Sequence, residues 1–410
     1  MAKNGLAVVN SNDLMPTNAD GTMAFRQNND LFYLTGIEQE ESMLVICPNF
    51  PDKKHREILF LRQPNELLEK WEGHKLSKEE ATAISGIKKV MWLSEFHKQF
   101  HHMMVMGGVS RVYLNTNEHY RAEIVVQTRD ARFINWCKAT YPLHRYNRLA
   151  SLMTPLRREK QKKEIDLMQH ACDITEKGFR RVLKFVKPGV MENEIEAEFI
   201  HEFIRNRSKG FAYSPIIASG KNNVVLHYID NNQKCKAGEL LLLDVAAEYA
   251  NYNSDLTRTI PVSGRFTKRQ KEVYNAVLNV MRQAMKLMGP SIAYFDYQKE
   301  IEKIMENELL KLKLITKTDI KNQPKENPVL KKYFYHGTSH MLGLDVHDVG
   351  DMHEKMQVGS VWTVEPGIYI KEEGFGIRLE NNVVIQKKGV LDLMRNIPIE
   401  AEEIEELMNG

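Results

Sequence analysis

Over roughly the first 155 residues, short apolar runs alternate with amphipathic segments. The runs at 7–9 (AVV), 33–36 (YLTG), 42–48 (SMLVICP), 57–63 (EILFLRQ) and 112–115 (VYLN) are strand-like in length and residue type. KEEATAIS at 78–85 and SEFHKQFHHMMVM at 94–106 read as helices. This alternation predicts an α/β domain with a mixed sheet over residues 1–155. PLRREKQKKE at 155–164 opens with proline and is densely charged, which reads as a domain boundary leading into a solvated helix start. Beyond it, Ile165, Met168, Cys172, Phe179, Val182 and Val186 keep helical spacing until Lys187-Pro188-Gly189 ends the pattern. Ile195, Phe199 and Phe203 mark a second helix, and 268–290 and 296–312 predict two more. Strand-like sequence at 214–218, 240–247, 257–262, 360–365, 367–370 and 376–386 completes an α+β domain over residues 156–410.

Composition narrows the partners more than the fold. Of 410 residues, 42% are hydrophobic and 27% charged, which is enough apolar material for a sizeable core. The net charge of +3 gives no electrostatic case for nucleic acid or an anionic membrane as a partner. The apolar run Leu6–Val9 is too short for a signal peptide, and no stretch reaches the length of a membrane span. Cys47, Cys137, Cys172 and Cys235 are scattered, without a CxxC pair, so a reducing, cytoplasmic location is expected.

Several acids stand where apolar strands should exclude them. Asp244 closes LLLLD, and Asp255 follows eleven residues later across a turn-like AEYANYNS, so a hairpin is expected to return it beside Asp244. Glu365 interrupts VWTVEPGIYI and Glu380 interrupts GIRLENNVVI. Each alone has an ordinary reading as half of a structural ion pair. Together they are four carboxylates that a core holds only against compensating positive charge. Arg378 and Lys371 are too few. YHGTSHMLGLDVHD at 335–348 adds His336, His340 and His347. Four carboxylates and an imidazole suit a pair of divalent ions, with Mn²⁺ favoured and Co²⁺ or Zn²⁺ as alternatives.

In order and local context, Asp244, Asp255, His340, Glu365 and Glu380 resemble the five metal ligands of the pita-bread metallopeptidases of family M24. HGTSHMLGLDVHDVG is similar to the aminopeptidase P form of the histidine segment. Methionine aminopeptidases lack its GLDVHD continuation, and prolidases usually carry HGLGH. FRQNNDLFYLTG at 25–36 also resembles an N-terminal aminopeptidase P segment. The resemblance implies a creatinase-like mixed-sheet domain over 1–155 and a pita-bread catalytic domain over 156–410. It implies hydrolysis of the N-terminal Xaa-Pro bond of peptides, with two divalent ions and a homo-oligomeric (dimeric or tetrameric) assembly. Asp244 would chelate one ion, Asp255 and Glu380 would bridge both, and His340 and Glu365 would hold the second. Glu365 would also handle the proton of the attacking water. His227 and His347 would serve catalysis, at the leaving-group side and the scissile carbonyl. His336, Tyr369 and Arg378 would line the substrate site. Alternatives within the family are a prolidase restricted to dipeptides and a non-catalytic peptide-binding scaffold. GIRLENN departs from the common GIRIEDD by replacing two acids with Asn381 and Asn382, which keeps the ligand Glu380 and removes two nearby negative charges.

Overall fold

The computed structural model describes residues 1–324 and 326–410. They form two compact units, Met1–Arg157 and Arg158–Gly410.

The first unit is built on a six-stranded mixed sheet. Its strands are β1 (Gly5–Asn10), β2 (Met43–Ile46), β3 (Glu57–Leu61), β4 (Val90–Trp92), β5 (Arg111–Leu114) and β6 (Arg145–Arg148), in the order β4-β3-β2-β1-β5-β6. β2 runs antiparallel to β1 and β3, while the pairs β1–β5, β3–β4 and β5–β6 are parallel. Helices α1 (Asn29–Thr35), α2 (Glu66–Glu72), α3 (Lys78–Ser85), α4 (Phe96–Met106), α5 (Arg129–Thr140) and α6 (Ala150–Arg158) complete it. Leu6 and Val8 enter one apolar cluster, and Ala7 and Val9 enter another. The central strand is thus covered on both faces, which is why its sequence is apolar without alternation.

The expected strand at 33–36 is instead the end of helix α1. The Asn28 side chain caps that helix by accepting from the Asp30 and Leu31 N–H groups, and Gly36 closes it at φ 66°. Two good caps outweigh the strand preference of Tyr33 and Thr35. The charged stretch 155–164 is also only partly solvated. Pro155 lies inside α6, and Arg157 and Lys160 are buried. Arg157 pairs with Asp30 at 2.9 Å, and Lys160 pairs with Asp348 at 2.7 Å.

In the second unit, α7 (Lys162–Phe185) and α8 (Glu192–Arg205) precede β7 (Ile216–Ser219), β8 (Leu240–Asp244), β9 (Glu248–Tyr249), β10 (Tyr252–Asn253) and β11 (Thr257–Pro261). Helices α9 (Lys268–Leu287) and α10 (Tyr294–Lys311) follow. The remaining strands are β12 (Val361–Val364), β13 (Gly367–Ile370), β14 (Phe375–Arg378), β15 (Asn381–Ile385) and β16 (Val390–Asp392). They form antiparallel sheets β11-β8-β7, β12-β15-β16, β13-β14 and β10-β9. The segment 376–386, expected as one strand, belongs to two sheets, and the chain changes partner at Leu379-Glu380. That switch turns Glu380 away from a regular ladder. Its N–H bonds instead to the Thr257 carbonyl at 3.0 Å. No described helix is long and apolar enough to cross a membrane.

Candidate metal centre

Asp244 sits at the end of β8, opposite Thr257 in the ladder with β11. A short hairpin, β9–β10, separates the two strands and turns through Ala250 and Asn251 at φ 49° and 67°. The return therefore brings Thr257 opposite Asp244, with Asp255 just outside the ladder. Asp255 is fixed by a side chain from β15. Asn382 Oδ1 accepts from the Asp255 N–H at 2.9 Å, and Asn382 Nδ2 donates to the Asp255 carbonyl at 2.7 Å.

His340 faces the acids. Its Nδ1 lies 3.0 Å from the Met341 carbonyl, which makes Nδ1 the protonated nitrogen of the neutral ring and leaves Nε2 as a lone pair. Nε2 lies 3.4 Å from Asp255 and 3.5 Å from Glu365. One ligand atom from each of Asp255, His340 and Glu380 falls within a 4.8 Å group. Glu380 Oε2 accepts from Thr257 Oγ1 at 2.8 Å. Its other oxygen, Oε1, is buried and has no hydrogen-bond partner among the described residues. A buried carboxylate with an unpartnered oxygen, clustered with a second carboxylate and an imidazole, is what a hard divalent cation would satisfy. The residues present fit such an ion.

Burial raises the pKa of Asp244, and neighbouring Asp255 adds to the rise while Arg378 opposes it. Glu380 is pushed well up by burial and then by Asp255, Glu365 and Asp244. Glu365 is raised to about 7, by burial first, against the pull of His340. Burial alone would lower His340, but the Asp255 and Glu365 carboxylates outweigh it and hold it at about 9.

A hydrogen-bonded chain backs this cluster. Arg378 Nη2 donates to Asp244 at 2.6 Å, and Arg378 Nη1 donates to the Tyr369 hydroxyl at 2.8 Å. The His336 ring contacts that hydroxyl through Nε2 at 2.8 Å and the Gly337 carbonyl through Nδ1 at 2.8 Å. Burial, helped by Arg378, lowers His336 to about 3, so the ring is neutral. Nδ1–H therefore donates to the carbonyl, Nε2 accepts from Tyr369, and Tyr369 accepts from Arg378. His347 stacks on His340 with ring centroids 4.1 Å apart. His227 lies exposed on the segment between β7 and β8.

Sequence reasoning missed Tyr213, whose hydroxyl donates to the second Asp244 oxygen at 2.6 Å. It also missed Thr257, and it treated Asn381 and Asn382 only as lost charge. Both are buried and both donate. Asn381 accepts from Arg258 at 2.7 Å and donates to Asp392 at 2.7 Å. An aspartate could not make either donation.

Residues 166–387 match metallopeptidase family M24, and residues 1–113 match the aminopeptidase P N-terminal domain. The chain belongs to metallopeptidase family M24. It is 32% identical to the Xaa-Pro aminopeptidase of Escherichia coli, over 95% of this chain and 90% of that one. It is also 32% identical to human Xaa-Pro aminopeptidase 3, over 98% of this chain and 80% of that one. Its fold is similar to that of zinc-substituted E. coli aminopeptidase P in complex with product, with a TM-score of 0.87 at 31% identity, covering 100% of this chain and 95% of that one. The two-domain aminopeptidase P fold expected from the sequence is thereby established.

Proposed function

We propose that this metallopeptidase is an Xaa-Pro aminopeptidase, which removes the first residue from peptides with proline at the second position. The observation that carries the metal-dependent reading is the unpartnered oxygen of Glu380, a residue clustered with Asp255 and His340. Asp244, Asp255, His340, Glu365 and Glu380 would hold two divalent ions, with Mn²⁺ favoured for an oxygen-rich set. When bound, the ions would activate a water and polarise the scissile carbonyl.

The chain's own groups divide the remaining work. Glu365, half-buried and 3.5 Å from His340 Nε2, takes a proton from the attacking water and passes it toward the proline nitrogen. His347 and His227 contact the substrate at the scissile carbonyl and the leaving-group side. His336, Tyr369 and Arg378 form the pocket wall, and their directional chain to Asp244 fixes the wall to the ligand set. A neutral His336 suits contact with the uncharged ring of proline.

The test is hydrolysis of an Xaa-Pro dipeptide and an Xaa-Pro-Yaa tripeptide by metal-stripped protein, before and after Mn²⁺ is added. Metal-dependent cleavage of the tripeptide is expected. Cleavage of the dipeptide alone would make the protein a prolidase. Failure on both, with metal bound, would favour a peptide-binding scaffold. The four cysteines are free and buried, in keeping with a cytoplasmic location, and the assembly is proposed to be a homo-oligomer, which light scattering checks.

A further inference from the structure

The segment joining β7 to β8 carries His227 and has little regular structure of its own. It includes a short 3₁₀ turn, Gly220–Val224, and then runs irregularly to Gln233. A single carboxylate beneath it gathers its two ends and its middle. Glu192, the first residue of α8, is completely buried. Its Oε1 accepts from the Ser219 N–H and the Ser219 hydroxyl, both at 2.7 Å. Its Oε2 accepts from the Tyr228 hydroxyl at 2.8 Å and the Gln233 N–H at 2.9 Å. These donors lie at the entrance of the segment, at its exit, and at the residue next to His227. No cation contributes to these four bonds, so the charge is stabilised by donors that all belong to the segment or its immediate ends.

We propose that Glu192 is a positioning residue. It fixes the span 219–233 and thereby sets where His227 meets the substrate. The inference rests on the reading that His227 contacts the peptide. Other contacts reinforce the same span without duplicating the role. Asn231 is tied to the Ile217 N–H at 3.0 Å, and the Tyr335 hydroxyl donates to the Val224 carbonyl at 2.6 Å. These hold single points of the span, whereas Glu192 ties Ser219, Tyr228 and Gln233 to one carboxylate.

Glu192→Gln is the informative substitution. Each oxygen of Glu192 faces a backbone N–H, so an amide in either orientation opposes one donor with another. Four measurements separate positioning from general support. Amide hydrogen exchange of Glu192→Gln should speed up across 219–233 and stay unchanged in α9, and metal affinity should be kept. KM for an Xaa-Pro-Yaa peptide should rise, and kcat/KM should fall about tenfold. In a His227→Ala background, the same Glu192→Gln change should cost less than about twofold, because the group it positions is gone. Tyr228→Phe, which removes one of the four bonds, should show the same pattern more weakly and guards against a Glu192→Gln protein that does not fold. Unchanged exchange in 219–233, or an equal loss of kcat/KM with and without His227, would overturn the proposal. If the wild-type protein cleaves neither peptide, the functional reading fails, and the exchange experiment still decides whether Glu192 holds the span.

Discussion

Replacing Asn382 with leucine tests how a side-chain amide buried in a strand supports the proposed metal site. The change nearly preserves volume. Asn382 is fully buried, and its two amide atoms bond the N–H and the carbonyl of Asp255, at 2.9 and 2.7 Å. Asn382→Leu leaves both backbone groups buried without those bonds, at about 1–3 kcal/mol each, so the expected destabilisation is about 2–6 kcal/mol. Because the orphaned groups belong to a proposed ligand, Asp255, divalent metal affinity should also fall about 10–100-fold, as it does when a group supporting a ligand is lost. Denaturant unfolding of the metal-free protein reads the first quantity, and calorimetric titration with Mn²⁺ reads the second. Asn382→Asp keeps the acceptor but loses the donor to the carbonyl, so it should fall between wild type and Asn382→Leu in metal-free stability. A loss under about 0.5 kcal/mol together with unchanged Mn²⁺ affinity would mean that Asp255 is held by something other than this amide.

Three further outcomes follow from the same structure. Lys160→Met removes the 2.7 Å partner of Asp348 from a pair whose side chains are both almost fully buried, and should cost about 3–5 kcal/mol by denaturant unfolding, with Lys160→Met/Asp348→Leu recovering much of it. Burial pushes the Asp130 carboxyl up to about 6, above its unfolded value, so the neutral form's contribution to stability is present below about pH 4 and is lost as pH rises to about 6; Asp130→Asn should flatten that fall and stabilise the protein at pH 7 by on the order of 1–3 kcal/mol in unfolding measured across the range. A methyl group on Gly376 would lie 2.7 Å from the Asn223 carbonyl oxygen and 2.6 Å from the Tyr369 ring, so Gly376→Ala should lower stability by about 1–3 kcal/mol and raise KM, since the ring it displaces belongs to the proposed pocket wall.

The acids were legible because each broke an apolar strand pattern. Asp244 after four leucines and Glu380 inside GIRLENNVVI announce a cost that only a site would justify. What surrounds them was not legible. Tyr213 lies thirty-one positions from Asp244, and nothing local marks its hydroxyl as a partner. Asn382 read as a missing charge, because only the fold shows that its amide faces the Asp255 backbone. The partner change at Leu379-Glu380 is equally silent, since both halves of 376–386 are apolar and strand-like. In the first unit, YLTG misled for the opposite reason. The deciding signal was the capping residue Asn28, which stands before the run and not within it.

The central claim is that Asp244, Asp255, His340, Glu365 and Glu380 form a metal centre, and the most direct test is Mn²⁺ titration of the stripped, full-length protein followed by calorimetry, alongside Glu380→Ala. Two ions should bind per chain in the wild type, and tight binding should be lost in the variant, which removes the oxygen without a partner among the described residues. Absence of tight binding to the wild type, or binding that Glu380→Ala leaves intact, would contradict that claim.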